Sequence, residues 1–243
     1  MKTACRDCPL RRLPGFAPMS GAEIAATQAF KRGEMQVEAG TPILLEGAAS
    51  AQVYTVLQGM GLRYKTLETG RRQVLGFVFP GDFVGLQAAV MEEMSHSVDA
   101  ATEMVLCVFD RSDLPKLFRE QPARAFDITW IAAAEESFLG EAMATIGQRP
   151  ARARVAWGLL KLLQRGEVAG LLDREGGLPL PYAQRDFSDA LGLSTVHTNK
   201  MLARLRDEGI ATWRGARLVV HDRAALARAC GTPPETSHAR ALI

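Results

Sequence analysis

Two groups of side chains have types and spacings that could do chemistry. The first is Thr195, Val196, His197, Asn199, Lys200 and Arg204, which follow Ser194 on a stretch of helical periodicity. An α-helix fits the major groove of DNA, where each base pair presents its own donors, acceptors and methyl groups. Asn199 suits a bidentate contact to adenine, Lys200 a guanine or a phosphate, and Thr195 a thymine methyl, with Val196 beside them at the base edges. Ser194, His197 and Gln184 are placed for the sugar-phosphate backbone, and Arg204 lies on the same open side. The second group is Cys5 and Cys8, separated by Arg6 and Asp7, with Cys107 far along the chain. Thiols two residues apart can close a disulfide or ligate a metal.

Positioning the first group takes two helices and a tight turn. A short helix over about Ala183–Leu191 buries Phe187, Ala190 and Leu191, and Gly192 ends it. Ser194 or Thr195 caps a second helix running to about Glu208, which buries Met201, Leu202, Leu205 and one of Val196 or Thr198. The alternation from Gly209 to Val220, with Gly215 at its tip, predicts a small hairpin. Helix, glycine turn, helix and hairpin together spell a winged helix-turn-helix.

Upstream of this unit the patterning changes twice. Short apolar runs at Ile43–Leu45, Val53–Leu57, Leu62–Lys65, Val74–Phe79 and Val105–Phe109 alternate with turns at Gly40, Gly47, Gly59, Gly70 and Gly81. That spacing predicts an antiparallel sandwich or barrel. From Pro122 to Gly147 a stretch with no further proline spaces Phe126, Trp130, Ile131, Phe138, Leu139, Met143 and Ile146 as on a long helix. It is apolar on two sides, so one stripe packs on the sheets and the other suits a second copy of the chain or another core element. Arg149-Pro150 breaks it, Ala151–Gln164 follows as an amphipathic helix, and Arg165–Gly177 reads as a loop.

The expected divisions are an extension with the paired cysteines at 1–20, a sensor domain at 21–120, a dimerisation helix at 121–148, a DNA-binding domain at 149–231 and a disordered tail at 232–243. Charge follows them. Residues 1–148 hold 14 Lys and Arg against 18 Asp and Glu, whereas 149–231 hold 14 against 8, so the C-terminal part is the one suited to phosphate. No apolar run is long enough for a membrane span, and Met1–Asp7 has none of the character of a signal peptide. A cytoplasmic protein is expected, with its four cysteines as thiols or ligands. An enzyme is not. The chain has no phosphate-cradling glycine loop and no nucleophile elbow, and His96, His197, His221 and His238 are scattered.

From about Ala22 to Ala229 the chain resembles the CRP/FNR family of bacterial regulators. The likeness is carried by the glycine-punctuated N-terminal half, the segment Pro80–Leu86, the long central helix, the helix start at Arg149–Ala156 and the turn Leu191–Ser194. It implies an α+β fold: a cyclic-nucleotide-binding-like β-roll, a long dimerisation helix and a C-terminal winged helix-turn-helix. It further implies a homodimeric transcription regulator on a palindromic double-stranded DNA operator, with RNA polymerase as a partner if the chain activates.

Two departures from the family bear on the signal. Relatives that bind cyclic AMP carry a glutamate for the ribose and an Arg-Ser pair for the phosphate, where this chain has Gly85-Leu86-Gln87 and His96-Ser97. A neutral histidine replaces a bidentate clamp poorly, so cyclic AMP is not expected. Relatives of the FNR type hold an iron–sulfur cluster on three N-terminal cysteines and a distant one. Here Cys5, Cys8 and Cys107 match, but Pro14 and Phe16 stand where the third N-terminal cysteine would be. Three readings stay open: a cluster with Asp7 or water as fourth ligand, a thiol switch at Cys5 and Cys8, and inert thiols. The expected signal is redox, oxygen or another input that is not a cyclic nucleotide. FNR-type recognition helices also carry a glutamate and a Ser-Arg pair where this chain has Val196 and Asn199-Lys200, so its half-site should differ.

Overall fold

The computed structural model describes residues 3–231 and 239–243. Two 3-10 turns at Cys5–Asp7 and Pro9–Arg12 lead into α1 (Gly21–Phe30), whose start is fixed by a reciprocal cap between Ser20 and Glu23. Eight strands and one short helix then make the β-roll: β1 (Lys31–Val37), β2 (Pro42–Leu44), β3 (Gln52–Gln58), β4 (Gly61–Thr66), β5 (Arg72–Val78), β6 (Phe83–Val84), α2 (Leu86–Met91), β7 (Ser97–Ala100) and β8 (Met104–Asp110). They form two antiparallel sheets, ordered β1-β8-β3-β6 and β2-β7-β4-β5. Val56, Val78, Val98, Met104 and Leu106 fill the space between the sheets with almost no exposed surface.

Each predicted strand has a counterpart, but β1, β6 and β7 were not anticipated. β1 carries Lys31, Arg32, Glu34 and Gln36, and its apolar alternation is only Met35 and Val37, too short to announce it. Its polar side chains are used locally. Lys31 Nζ donates to Glu34 Oε1 at 2.7 Å and to the Thr3 carbonyl at 2.8 Å, which pins the N-terminal extension onto the strand.

α3 (Leu114–Glu120) leads to α4 (Pro122–Gln148), the long helix. Ile128 and Ile131 are buried against the β-roll, while Phe126 and Met143 stand 70% and 75% exposed. α5 (Ala151–Val168) runs a turn beyond its predicted end, where Gly166 is still buried, against Leu178; the loop expected from Arg165 begins only after it. The C-terminal unit follows as β9 (Leu178–Pro179), α6 (Gln184–Ala190), α7 (Thr195–Asp207), β10 (Ala211–Arg214), β11 (Arg217–Val220) and α8 (Arg223–Cys230). β10 and β11 are joined by Gly215 and Ala216, both at positive φ, the geometry of a tight hairpin turn. The fold is α+β: a β-roll, a long helix and a winged helix-turn-helix.

The two halves are docked. β5 packs against α6, where Arg72 pairs with Asp186 and Gln73 Nε2 donates to the Asp189 carbonyl at 2.6 Å. Tyr182 Oη donates to the Val78 carbonyl at 3.2 Å. The expectation of a disordered tail fails at its far end. Residues 232–238 lie outside the described part, but Ala241, Leu242 and Ile243 are buried among β-roll side chains. Three consecutive apolar residues gain more from that burial than a free tail would keep in chain entropy. Among the described residues, no helix is long and apolar enough to cross a membrane.

Candidate nucleic-acid interface and sensor cavity

The helix-turn-helix is held from beneath. Phe187, Leu191, Leu205 and Leu218 are fully buried, and the Phe187 and Trp213 rings meet edge to face with centroids 5.2 Å apart. Gly192 takes φ +62°, which turns the chain between α6 and α7. Ser194 caps α7 by accepting the His197 N–H at 3.2 Å, so part of its hydrogen-bonding capacity is spent on the helix start. Thr198 is the residue that α7 buries at its first turn. Val196 instead is 82% exposed.

The structure therefore gathers Thr195, Val196, His197, Asn199 and Lys200 on the open N-terminal turns of α7, with Arg204 exposed further along and Gln184 half-buried on α6. Gln184 and Asn199 share a groove with Arg206, Trp213 and Arg214. Sequence reasoning missed Arg214 and Arg185. Arg214 is exposed at the wing tip, next to Gly215, and Arg185 has its side chain 80% exposed at the start of α6. The arginine beside a hairpin glycine was the available signal. Arg214 thus lines the groove with Asn199 of α7, and Arg185 adds an exposed positive charge at the start of α6.

The three N-terminal-half cysteines also come together. Cys5, Cys8 and Cys107 line one cavity of about 30 Å³, with Lys31, Leu242 and Ile243 among its other walls. This is room for about two waters. Burial pushes the Cys107 thiol up to about 11 against the opposing influence of Lys31, and burial likewise raises Cys5. No disulfide joins any of the four cysteines, and Cys230 lies in the other half, on α8, where its thiol donates to the Leu226 carbonyl. Among the described residues, no three His, Cys, Asp or Glu side chains are grouped as a metal would need. The donor set does not fit a four-thiolate iron–sulfur cluster.

The place of a cyclic-nucleotide phosphate clamp is equally altered. His96 is held at a pKa of about 4, first by burial and then by Arg63, so it is uncharged near neutrality. Gln87 Oε1 accepts from the Ser95 backbone N–H at 3.2 Å and from its hydroxyl at 2.9 Å.

A buried charge cluster lies between the halves. Asp82, in the Pro80–Leu86 segment, pairs with Arg165 of α5 and with Arg240 at 3.1 Å, and its carboxylate accepts the Phe79 N–H at 2.9 Å. Burial would raise its pKa, but Arg165, Arg240 and Arg63 outweigh that, and the net shift is downward.

Comparison with known proteins gives a consistent picture. The profile of the cyclic nucleotide-binding domain matches residues 34–121, and that of the Crp-like helix-turn-helix domain matches residues 153–229. The nitrogen fixation regulation protein FixK of Rhizobium meliloti is 30% identical over 208 residues, covering 84% of this chain and 86% of that protein. The transcriptional activator protein FnrL of Cereibacter sphaeroides is 27% identical over 219 residues, covering 89% and 87%. Among solved structures, FixK2 from Bradyrhizobium japonicum superposes with a TM-score of 0.74 at 27% identity, covering 83% of this chain and 98% of that one.

Proposed function

The chain belongs to the CRP/FNR family of transcription regulators, with a helix-turn-helix DNA-binding domain, and we propose that it acts as a homodimer reading a palindromic operator through α7. The observation that carries this reading is Val196. An apolar side chain that is 82% exposed on the first turn of α7, between the polar groups of Thr195 and Asn199, fits a thymine methyl in the major groove. Asn199 then reads an adjacent adenine, and Lys200 donates to a guanine or to phosphate. Ser194, His197, Gln184, Arg204, Arg185 and Arg214 hold the sugar-phosphate backbone.

The dimer is joined along α4. Its open face carries Phe126, Leu139 and Met143 with the small residues Ala133 and Gly140, which let a second helix approach closely. A two-fold axis there places the two recognition helices on half-sites about one helical turn apart. If the protein activates, RNA polymerase is its further partner. The input is one other than a cyclic nucleotide, since Gly85-Leu86-Gln87 and an uncharged His96 stand where relatives hold the ribose and the phosphate. A thiol input at Cys5 and Cys8 has one observation in its favour: the two share a cavity with Cys107.

Selection of random DNA by the pure protein tests the output. A two-fold symmetric site with half-sites that differ from the FNR-type sequence is expected, with binding that weakens steeply as salt rises. Failure to bind DNA at low salt defeats the whole reading. Recovery of an unchanged FNR-type half-site defeats the assignment of Val196, Asn199 and Lys200.

A further inference from the structure

Arg240–Ile243 follows the DNA-binding domain in sequence, yet it is seated in the N-terminal half. Arg240 and Phe16 form a parallel bridge, in which the Ala17 N–H donates to the Arg240 carbonyl at 2.8 Å and the Arg240 N–H donates to the Gly15 carbonyl at 2.9 Å. On the other side, Thr55 Oγ1 donates to the Ile243 carbonyl at 2.7 Å and Arg124 Nη1 to the Leu242 carbonyl at 3.2 Å. Ala241, Leu242 and Ile243 pack with Leu10, Phe16, Leu57 and Phe109. This is a single parallel bridge made by a short peptide, the first step of strand addition: main-chain hydrogen bonds align it and apolar side chains surround its own. Arg240 adds the ion pair to Asp82.

The same seat borders the thiols. Leu242 and Ile243 are walls of the cavity that Cys5, Cys8 and Cys107 line, so little space is left once the tail is in place. We propose that the groove between the cysteine-bearing extension and the β-roll is a peptide-binding site whose ligand is this chain's own segment Arg240–Ile243, and that seating of this segment and modification of the thiols exclude one another. Two sites that compete for one space are linked reciprocally: whatever enlarges a thiol weakens the seat, and an empty seat exposes the thiols. The DNA-binding domain is thereby tied to the chemical state of Cys5, Cys8 and Cys107, because the ligand is its own continuation. This competition holds whether or not the thiols sense anything in the cell, and whatever operator the protein reads.

The wild-type chain suffices for the first test. Thiols are alkylated with N-ethylmaleimide, the adducts are located by mass spectrometry, and hydrogen exchange is followed over residues 239–243. Exchange in this segment is expected to quicken at least tenfold once Cys5 or Cys8 is alkylated; unchanged protection with those thiols fully alkylated overturns the proposal. A chain stopping at His238 supplies the converse. Its Cys5, Cys8 and Cys107 should react with an aromatic disulfide at least ten times faster than in the full chain, and a peptide spanning 235–243 should slow them again. Equal rates in the two chains overturn it. The full-length Leu242→Asp variant repeats this comparison without shortening the chain. Alkylation should shift operator affinity in the full chain and leave that of the shortened chain unaltered, whereas an equal shift in both shows that the thiols act on DNA binding by a route other than the tail.

Discussion

Replacing Asp82 by asparagine keeps the side-chain volume and an oxygen for the Phe79 N–H, and removes only the charge that Arg165 and Arg240 share. Removing one partner of a buried ion pair costs about 3–5 kcal/mol, because the remaining charge stays desolvated. The Asp82 side chain is 4% exposed, whereas those of Arg165 and Arg240 are 24% and 19% exposed and recover some hydration when the carboxylate goes. The loss therefore falls at the lower end, about 3 kcal/mol at pH 7. For a chain of this size that is a fall of about 6–12 °C in Tm. The pH dependence has a definite sign. The folded pKa of Asp82 lies below its ordinary value, so the unfolded chain binds more protons only in the interval between the two. Its contribution is complete above the ordinary aspartate range and disappears only as pH drops through the folded value. Urea unfolding of wild type and Asp82→Asn should give the same difference at pH 7 and pH 5. A difference under about 1 kcal/mol, or one that shrinks between those pH values, refutes the assignment of Asp82 as a charge anchor between the halves.

Asn199→Ala should lose about 1–3 kcal/mol on the selected operator and relax preference at one base pair, while Arg204→Ala, at a backbone contact, should weaken all sequences alike and lower the salt slope by about one. Fluorescence anisotropy across a salt series separates the two; an unchanged base preference in Asn199→Ala contradicts its role. Phe126→Asp combined with Met143→Asp places charges on the open face of α4 and should shift sedimentation to monomer at concentrations where the wild type is dimeric. If both proteins sediment alike, the dimer runs elsewhere. His96 has a folded pKa of about 4, faced by Arg63, Glu135, Glu46 and Lys65, so the unfolded chain takes up a proton first as pH falls below about 6.5. Stability should decline between there and pH 4, and His96→Gln should flatten that slope in calorimetric scans; an equal slope in the variant would falsify the assignment.

Much of the reading helix was legible because its constraints are local. Gly192, the Ser194 cap and the spacing of Met201, Leu202 and Leu205 lie within fifteen residues of one another, and periodicity alone places them. Val196 against Thr198 was not decidable that way, since both fall near the buried stripe of α7. The structure buries Thr198, and its hydroxyl is unpartnered there. β1 escaped notice because its apolar side chains facing the core are only Met35 and Val37, while Lys31 and Glu34 are spent on polar contacts with Thr3 and with each other. β6 and β7, of two and four residues, are too short for a pattern. The tail failed for the opposite reason. Ala241, Leu242 and Ile243 are only three residues after Pro233 and Pro234, and everything that holds them lies far back in the chain, at Gly15, Phe16, Thr55 and Arg124. Cys5, Cys8 and Cys107 line one cavity, but the raised thiol pKa values at Cys5 and Cys107 depend on packing that no spacing reveals.

The bridge between Phe16 and Arg240 joins residues 224 positions apart. Synthesis proceeds at about 5–20 residues per second, so roughly ten to forty seconds separate their emergence from a ribosome. For that interval the extension and its cysteines exist without the strand that closes over them. Newly made chains thus pass through a stage of open, reagent-accessible thiols, whatever their later fate. A cysteine-directed reagent supplied during translation should therefore label Cys5 and Cys8 more readily than one supplied to finished chains.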